Sequence, residues 1–518
     1  MFPRVLSAFT LLLFLAPGGC DFPDPDEPDT GTEVPGTEEL AETPVYVKAS
    51  NTTADSLFGT RVVFSDDGRT LAVGAFSENS DALGNPGSGA GPSGNSGAVY
   101  VYSWTVDQGW TEQAFLKASN AGTGDFFGVG VALSSDGDTL AVGAAGERST
   151  AAGVGGDMLD DSGTLVGAVY IFERDASGTW TQTEYIKASN AEPGDFFGSS
   201  VSLSDDGARL AVGAINEASN ATEINGDQGN NDAESSGAVY VFDNQVIGGW
   251  QQVAYLKTSN SDADDRLGEE VLLDGSGTRL LVGAPGEASA TAGFDPADDS
   301  APDAGAAYVF ERGAGGDWSE VAYLKASNAG AGDEFGFGLA ASADMSTIAV
   351  GAAREQSAGG DPSDDSMPGA GALYVFEFDG VGGWTQQAFV KASNPGAEDN
   401  FGFSAAFDDA GDRLLVGAPF EASAATALDG DQNDDTGAAG AAYWFLRTAA
   451  GWEQQHYIKA SNTGTDIPLG DVFGFSVGLS GDGSVRAIGA TGESSAATGI
   501  NGDQADNGAQ YAGAVYLY

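Results

Sequence analysis

A tetrapeptide, Lys-Ala/Thr-Ser-Asn, recurs seven times along the chain, with its lysine at Lys48, Lys117, Lys187, Lys257, Lys325, Lys391 and Lys459. The intervals are 69, 70, 70, 68, 66 and 68 residues. These are all the lysines of a 518-residue chain, so lysine marks a position in a repeating unit and is not a general solubilising residue. Length alone would suggest several domains. Registered repetition indicates one array instead, whose units bury their faces against each other.

Each tetrapeptide is followed by a Phe-Gly-like pair: Phe58-Gly59, Phe127-Gly128, Phe197-Gly198, Leu267-Gly268, Phe335-Gly336, Phe401-Gly402 and Phe473-Gly474. A stretch such as Val129 to Leu133 comes next, where large Val129, Val131 and Leu133 alternate with small Gly130 and Ala132. That period of two predicts a strand with one large and one small face, the small one suited to crowding near an axis. A turn such as Ser135-Asp136-Gly137-Asp138 leads into Leu140-Ala141-Val142-Gly143-Ala144, which reads as a hairpin partner. After about twenty polar residues, Gly167 to Phe172 is a third strand, and Trp180 introduces a fourth that ends at Lys187. With 78 glycines and few long apolar runs, helix is not expected. The prediction is an all-β, seven-bladed β-propeller of four-stranded antiparallel blades.

Closure of the ring can be read as well. Six units carry a tryptophan seven residues before their lysine, at Trp110, Trp180, Trp250, Trp318, Trp384 and Trp452. The first tetrapeptide has only Val45-Tyr46-Val47 before it, a fourth strand without its own blade, and the last unit stops at Tyr518 just after a third strand. The N-terminal strand is therefore expected to complete the last blade and remove an exposed edge. The expected propeller spans 44–518, with blades at about 53–120, 121–190, 191–260, 261–328, 329–394, 395–462, and 463–518 plus 44–52.

Phe197-Gly198, Val212-Gly213-Ala214 and Gly237-Ala238-Val239-Tyr240, with Val282-Gly283-Ala284-Pro285 and Val416-Gly417-Ala418-Pro419, resemble the FG-GAP repeats of the integrin α-subunit N-terminal propeller, in the form found in bacterial repeat proteins. The resemblance implies the propeller fold and a role in cell-surface adhesion. Integrin propellers also bind calcium between the first two strands of certain blades. The corresponding turns here, such as Ser204 to Gly207 and Ser480 to Gly483, are too short to supply that ligand set.

Ahead of the repeats, Arg4, a mostly apolar run from Val5 to Ala16, and Pro17-Gly18-Gly19 have the order of a secretion signal over residues 1–19. Cys20 is the only cysteine, which excludes a disulfide or a cysteine metal cluster. Its place after the signal core is similar to a bacterial lipobox, although Pro17 departs from the usual aliphatic residue; an ordinary signal peptide is the alternative. Residues 20–43, acidic and Pro-rich, read as a solvated linker between a lipid on Cys20 and the propeller. The expectation is an exported, membrane-anchored lipoprotein of the bacterial cell envelope.

With 20 basic and 76 acidic residues, the net charge of −56 argues against nucleic acid or an anionic lipid surface as partner. Cationic partners fit, as does the plainer reading that the charge keeps an exported protein soluble. The acids recur in the long loops between second and third strands as Asp-x-x-(Asp/Asn)-(Asp/Asn): Asp157, Asp160 and Asp161; Asp227, Asn230 and Asn231; Asp295, Asp298 and Asp299; Asp361, Asp364 and Asp365; Asp431, Asp434 and Asp435; Asp503, Asp506 and Asn507. Three loops extend the pattern through Asn225, Asp429 and Asn501. Two readings stay open: the clusters could bind Ca²⁺, which takes six to eight oxygen ligands, or be turn formers capping their own backbone.

A glutamate follows each Val/Ile-Gly-Ala segment, at Glu78, Glu147, Glu217, Glu287, Glu355, Glu421 and Glu493. A ring of Lys to Glu pairs accounts for these, with Asp125 and Asp195 competing for the lysines; as exposed pairs each is expected to contribute about 0 to 1 kcal/mol. Catalysis has little support: His456 is the only histidine and sits in a fourth strand, no nucleotide or metalloprotease motif occurs, and no acid pair is seen to break the repeat. The chain is expected not to be an enzyme. The expected role is a monomeric recognition or adhesion module whose long loops bind a protein or glycan on the cell surface or matrix. A structural or assembly lipoprotein and a carbohydrate-active enzyme are the alternatives.

Overall fold

The computed structural model describes residues 40, 43–80, 94–290, 298–381, 383–433, 437–463 and 470–518. The signal segment, Cys20, most of the acidic linker, Asp295, Asp434 and Asp435 lie outside the described residues.

Seven four-stranded antiparallel sheets form the seven blades of a β-propeller, and no helix occurs among the described residues. In the third blade the strands run from the axis outward as Phe197–Leu203, Arg209–Ala214, Ala238–Gln245 and Gly249–Leu256. The inner strands of the other blades are Val62–Phe64, Phe127–Leu133, Val271–Leu273, Phe335–Ala341, Ser404–Phe407 and Phe473–Leu479. The second and third strands, of the type Leu-Ala-Val-Gly-Ala and Ala-Val-Tyr-Val-Phe, are buried along nearly their whole apolar length because a neighbouring blade covers each face. One cluster joins Val169, Ile171 and Ile186 of the second blade to Phe197, Val212 and Tyr240 of the third, so the core is divided among the spaces between blades.

The Phe-Gly and Gly-Ala signatures meet at these spaces. Gly167 bridges Phe197 of the next blade in parallel fashion, and a Cβ at Gly167 would lie 2.0 Å from the Phe197 carbonyl oxygen. A Cβ at Gly143 would lie 1.9 Å from that of Gly198. Only glycine permits such backbone approach, well inside any van der Waals contact. The Phe197 ring then packs edge-on against Tyr240 of its own blade, with centroids 5.3 Å apart.

Closure follows the expected route. Val45–Val47 pairs antiparallel with Ala514–Leu517, Tyr46 opposite Tyr516, as the outer strand of the seventh blade. At the end bearing the short hairpins, a second closure appears. The backbone N–H of Asp66 donates to Ser135, Ser135 to Asp205, Asp205 to Gly275, Gly275 to Ala343, Ala343 to Asp409, Asp409 to Gly481, and Gly481 back to Asp66, over 2.8 to 3.1 Å. One residue from each inner hairpin thus contributes to a circular hydrogen-bond chain around the axis. The opposite end carries the blade-to-blade connections and the long loops.

Candidate functional site

The tetrapeptide works as a stitch across blades. All seven lysines reach the glutamate of their own blade, from 2.7 Å in Lys187–Glu147 to 3.3 Å in Lys257–Glu217, and Lys48–Glu493 does so across the ring closure. None of these side chains is more than 6% exposed, so the small value expected for exposed pairs does not apply. Burial pushes Lys48, Lys187, Lys257, Lys325, Lys391 and Lys459 below their ordinary pKa against the pull of the paired carboxylate. Removing one partner of such a pair costs about 3–5 kcal/mol, because the other charge is stranded.

The asparagine two residues after each serine-preceding alanine or threonine serves the next blade. Asn190 donates to Glu217 over 3.3 Å and accepts the Tyr240 hydroxyl over 2.6 Å, and the same two bonds recur at Asn51, Asn120, Asn260, Asn328, Asn394 and Asn462. Each glutamate therefore holds a lysine from its own blade and an asparagine from the one before. Asp125 and Asp195 do not capture the lysines: they accept the backbone N–H groups of Gly122 and Glu192 at 2.6 and 3.0 Å. Burial raises them to about 6 and about 7, and their equivalents Asp265 and Asp333 to about 8 and about 7.

The acidic loops stay separate, each folded over the rim of its own blade. Asp157 accepts the N–H of Leu159, Asp227 that of Gly229, Asp361 that of Ser363, Asp431 that of Asn433, Asp503 that of Ala505 and Asp506 that of Gly508, all at 2.9 to 3.2 Å. Asp160 accepts the N–H and hydroxyl of Thr150, and these bonds with Ser162 hold it down at about 2. Asp298 caps Ala290 and Ser300, and Asp364 caps Ala358 and Ser366. Asn231 donates to Glu192 over 2.6 Å. Asp161, Asp299 and Asp365 are exposed. Among the described residues, no three Asp, Glu, His or Cys side chains converge closely enough to hold a metal ion.

Asn225, Asp429 and Asn501 have a distinct task. Each has a left-handed backbone and forms a reciprocal pair with the outer strand: Asn225 with the backbone of Tyr255, Asp429 with Tyr457, and Asn501 with Tyr46, at 2.7 to 3.1 Å. They satisfy backbone groups that an outermost strand would otherwise leave open. His456 belongs to this rim, its Nδ1 lying 2.8 Å from Asp429.

The copies diverge most sharply at the axis. Each inner strand is entered through a non-glycine residue of positive φ, from 54° to 58°: Leu57, Phe126, Phe196, Arg266, Glu334, Asn400 and Val472. The two residues after the Phe-Gly pair then help to line an axial cavity of about 350 Å³, to which all seven blades contribute. Val129-Gly130 of the second blade is replaced by Glu269-Glu270 in the fourth, and the fifth, sixth and seventh place Phe337, Phe403 and Phe475 there. The Phe403 ring lies 4.9 Å from Phe337 and 5.1 Å from Phe475. Glu270 accepts the N–H of Leu339 over 2.8 Å and faces Arg61 of the first blade at 3.6 Å. Burial pushes both glutamates above the ordinary carboxylate range. An acid pair does break the repeat, contrary to the sequence reading. Its signal was Glu269-Glu270 at a position that is small or apolar in the other copies except the first, which holds Thr60-Arg61.

The FG-GAP repeat family matches residues 110–172, 180–242 and 318–376. Among solved structures, the hydrazine synthase of Kuenenia stuttgartiensis is similar at 14% identity and a TM-score of 0.47, covering 88% of this chain and 96% of that one. The periplasmic gluconolactonase PpgL of Pseudomonas aeruginosa is similar at 15% identity and a TM-score of 0.43, covering 82% and 92%. No curated protein matches the chain. The matched stretches are FG-GAP repeats, and the chain carries them in a β-propeller whose seven blades are built alike on their Phe-Gly and Gly-Ala contacts.

Proposed function

We propose that the protein is an exported recognition module, tethered through Cys20, whose loop-bearing face docks a protein or glycan partner. The observation that carries this reading is the division of the repeat: residues common to all copies are engaged in stitching blades together, while residues that differ gather in the long loops and at the axis. A rigid ring with variable loops at one end is suited to binding, and its adhesive role rests on the resemblance to integrin propellers.

The loops support this reading without requiring calcium, since their carboxylates already hold their own turns. The non-enzymatic reading draws on the acid pair itself: Glu270 is engaged by Leu339 and Arg61, leaving no second free carboxylate to flank a scissile bond beside Glu269. The test is capture of surface and matrix material from the producing organism by the purified propeller, with and without calcium. A partner lost on replacing residues 220–235 supports the reading. Recovery of none, or a partner indifferent to those loops, overturns it, and calcium-dependent capture would assign the loops a metal as well.

A further inference from the structure

The axial cavity is separate from the loops, and its wall has two unlike sides. On one, Phe337, Phe403 and Phe475 from three successive blades form a continuous aromatic surface. The other is charged, with Glu269 and Glu270 of the fourth blade at one end of the aromatic arc and Arg61 of the first blade at its other end. The charges do not cancel. Arg61 faces Glu270 at 3.6 Å and also donates to the Val129 carbonyl, so these two groups form a closed unit. The Glu269 backbone N–H donates to the Arg266 carbonyl over 3.2 Å; among the described residues its side chain forms no hydrogen bond or ion pair, and the two cations that act on it, Arg266 first and Arg61 second, are each held by other carboxylates, Arg266 by Asp303 and Glu334 at 3.9 and 3.7 Å. One carboxylate is left over in a largely apolar chamber. Glu269 is half-buried, and a carboxylate partly withdrawn from water with no cation in contact is relieved by an ion of opposite sign.

We infer that the axial cavity binds a small organic monocation, an ammonium group carried on an apolar body, with Glu269 as counter-ion and the three phenylalanines as the surface against which the cation lies. Cations are attracted to aromatic faces, and quaternary ammonium groups are recognised by such walls. The cavity of about 350 Å³ lies within the range of small-molecule sites, roughly 300–1,000 Å³. The field of a protein with net charge −56 raises the local concentration of any cation at its openings. A divalent metal fits poorly, because three of the lining side chains are phenyl rings and a hard cation needs six or more oxygens. This inference is independent of the loop-face reading and does not fail with it.

The experiment is calorimetric titration of the intact propeller with choline and benzyltrimethylammonium, beside 3,3-dimethylbutan-1-ol, the neutral isostere of choline. Saturable binding of the cations is expected, with at least a tenfold loss in Glu269→Gln, a comparable loss in Phe403→Leu, and no binding of the alcohol. Both variants are checked by melting to confirm that the fold persists. Equal binding of the alcohol, binding unchanged in Glu269→Gln, displacement by calcium at equal concentration, or no saturable binding of either cation would overturn the assignment.

Discussion

The belt of Lys–Glu–Asn–Tyr contacts and the axial wall are built from the same seven repeats and obey opposite rules. In the belt every copy has the same residue at the same place, and every polar group finds a partner in its own blade or the next. At the axis the corresponding positions hold arginine, glycine, serine, glutamate and phenylalanine. The belt cannot vary, because each glutamate is held from two blades at once and a change in one copy leaves charges stranded in both. The axial wall can vary, because its side chains project into a cavity and not into the packed space between sheets. Sameness and difference thus mark packing and candidate binding respectively.

Breaking the belt should have the largest effects. Deleting the segment through Lys48 removes a strand and strands Glu493, and is expected to destabilise the ring by more than about 5 kcal/mol in urea unfolding. Glu217→Ala leaves the buried Lys257 ammonium without its counter-charge and takes one acceptor from Asn190, with an expected loss of about 3–5 kcal/mol by the same measurement. An effect below 1 kcal/mol would show that the belt is not what holds the blades.

A pH scan addresses the aspartates beside the belt. Asp195, Asp265 and Asp333 titrate at about 7, about 8 and about 7 when folded, above the value near 3.9 of an unfolded chain, because burial disfavours their charge. The folded state holds these protons more tightly, so their stabilising contribution is fully present below about pH 4 and is lost as pH rises toward 8. The melting temperature is expected to fall between pH 5 and 8, and Asp265→Asn to flatten the upper part of that fall. A flat profile in the parent protein would contradict the burial described for these groups. The smallest effect is expected at the axis: Glu269→Gln removes no contact of the packed blades and relieves a charge partly withdrawn from water, so stability should be unchanged or raised, by no more than about 1 kcal/mol. A loss as large as that of Glu217→Ala would erase the distinction between the two regions.

The fold was legible because a period repeated seven times reports on itself, and because Phe197-Gly198 and Gly167-Ala168 carry the close backbone approach between blades in their composition. The orphan strand at Val45 to Lys48 announced the closure. Burial of the Lys–Glu pairs was not legible, since the covering surface comes from a neighbouring blade about 70 residues away. Nor was the edge-capping role of Asn225, Asp429 and Asn501, where the partner is backbone and leaves no mark in residue type. The axial pair was missed for another reason. Reading seven copies as one consensus suppresses Glu269 and Glu270, and strand alternation does not tell which residue meets the axis when positive-φ residues such as Arg266 redirect the chain just before it.

The pairing of Val45–Val47 with Ala514–Leu517 also sets an order of events. A chain made from its N-terminus produces this strand before the first blade and its partner only after the sixth. Throughout elongation Lys48 has no glutamate to meet and Tyr46 no sheet to join, while the six blades between assemble from neighbours already present. Closure waits for Ala514–Leu517, so a chain interrupted before them keeps both ends of the ring open and exposes an unpaired strand to proteolysis. Ring closure is thereby contingent on synthesis of the seventh blade.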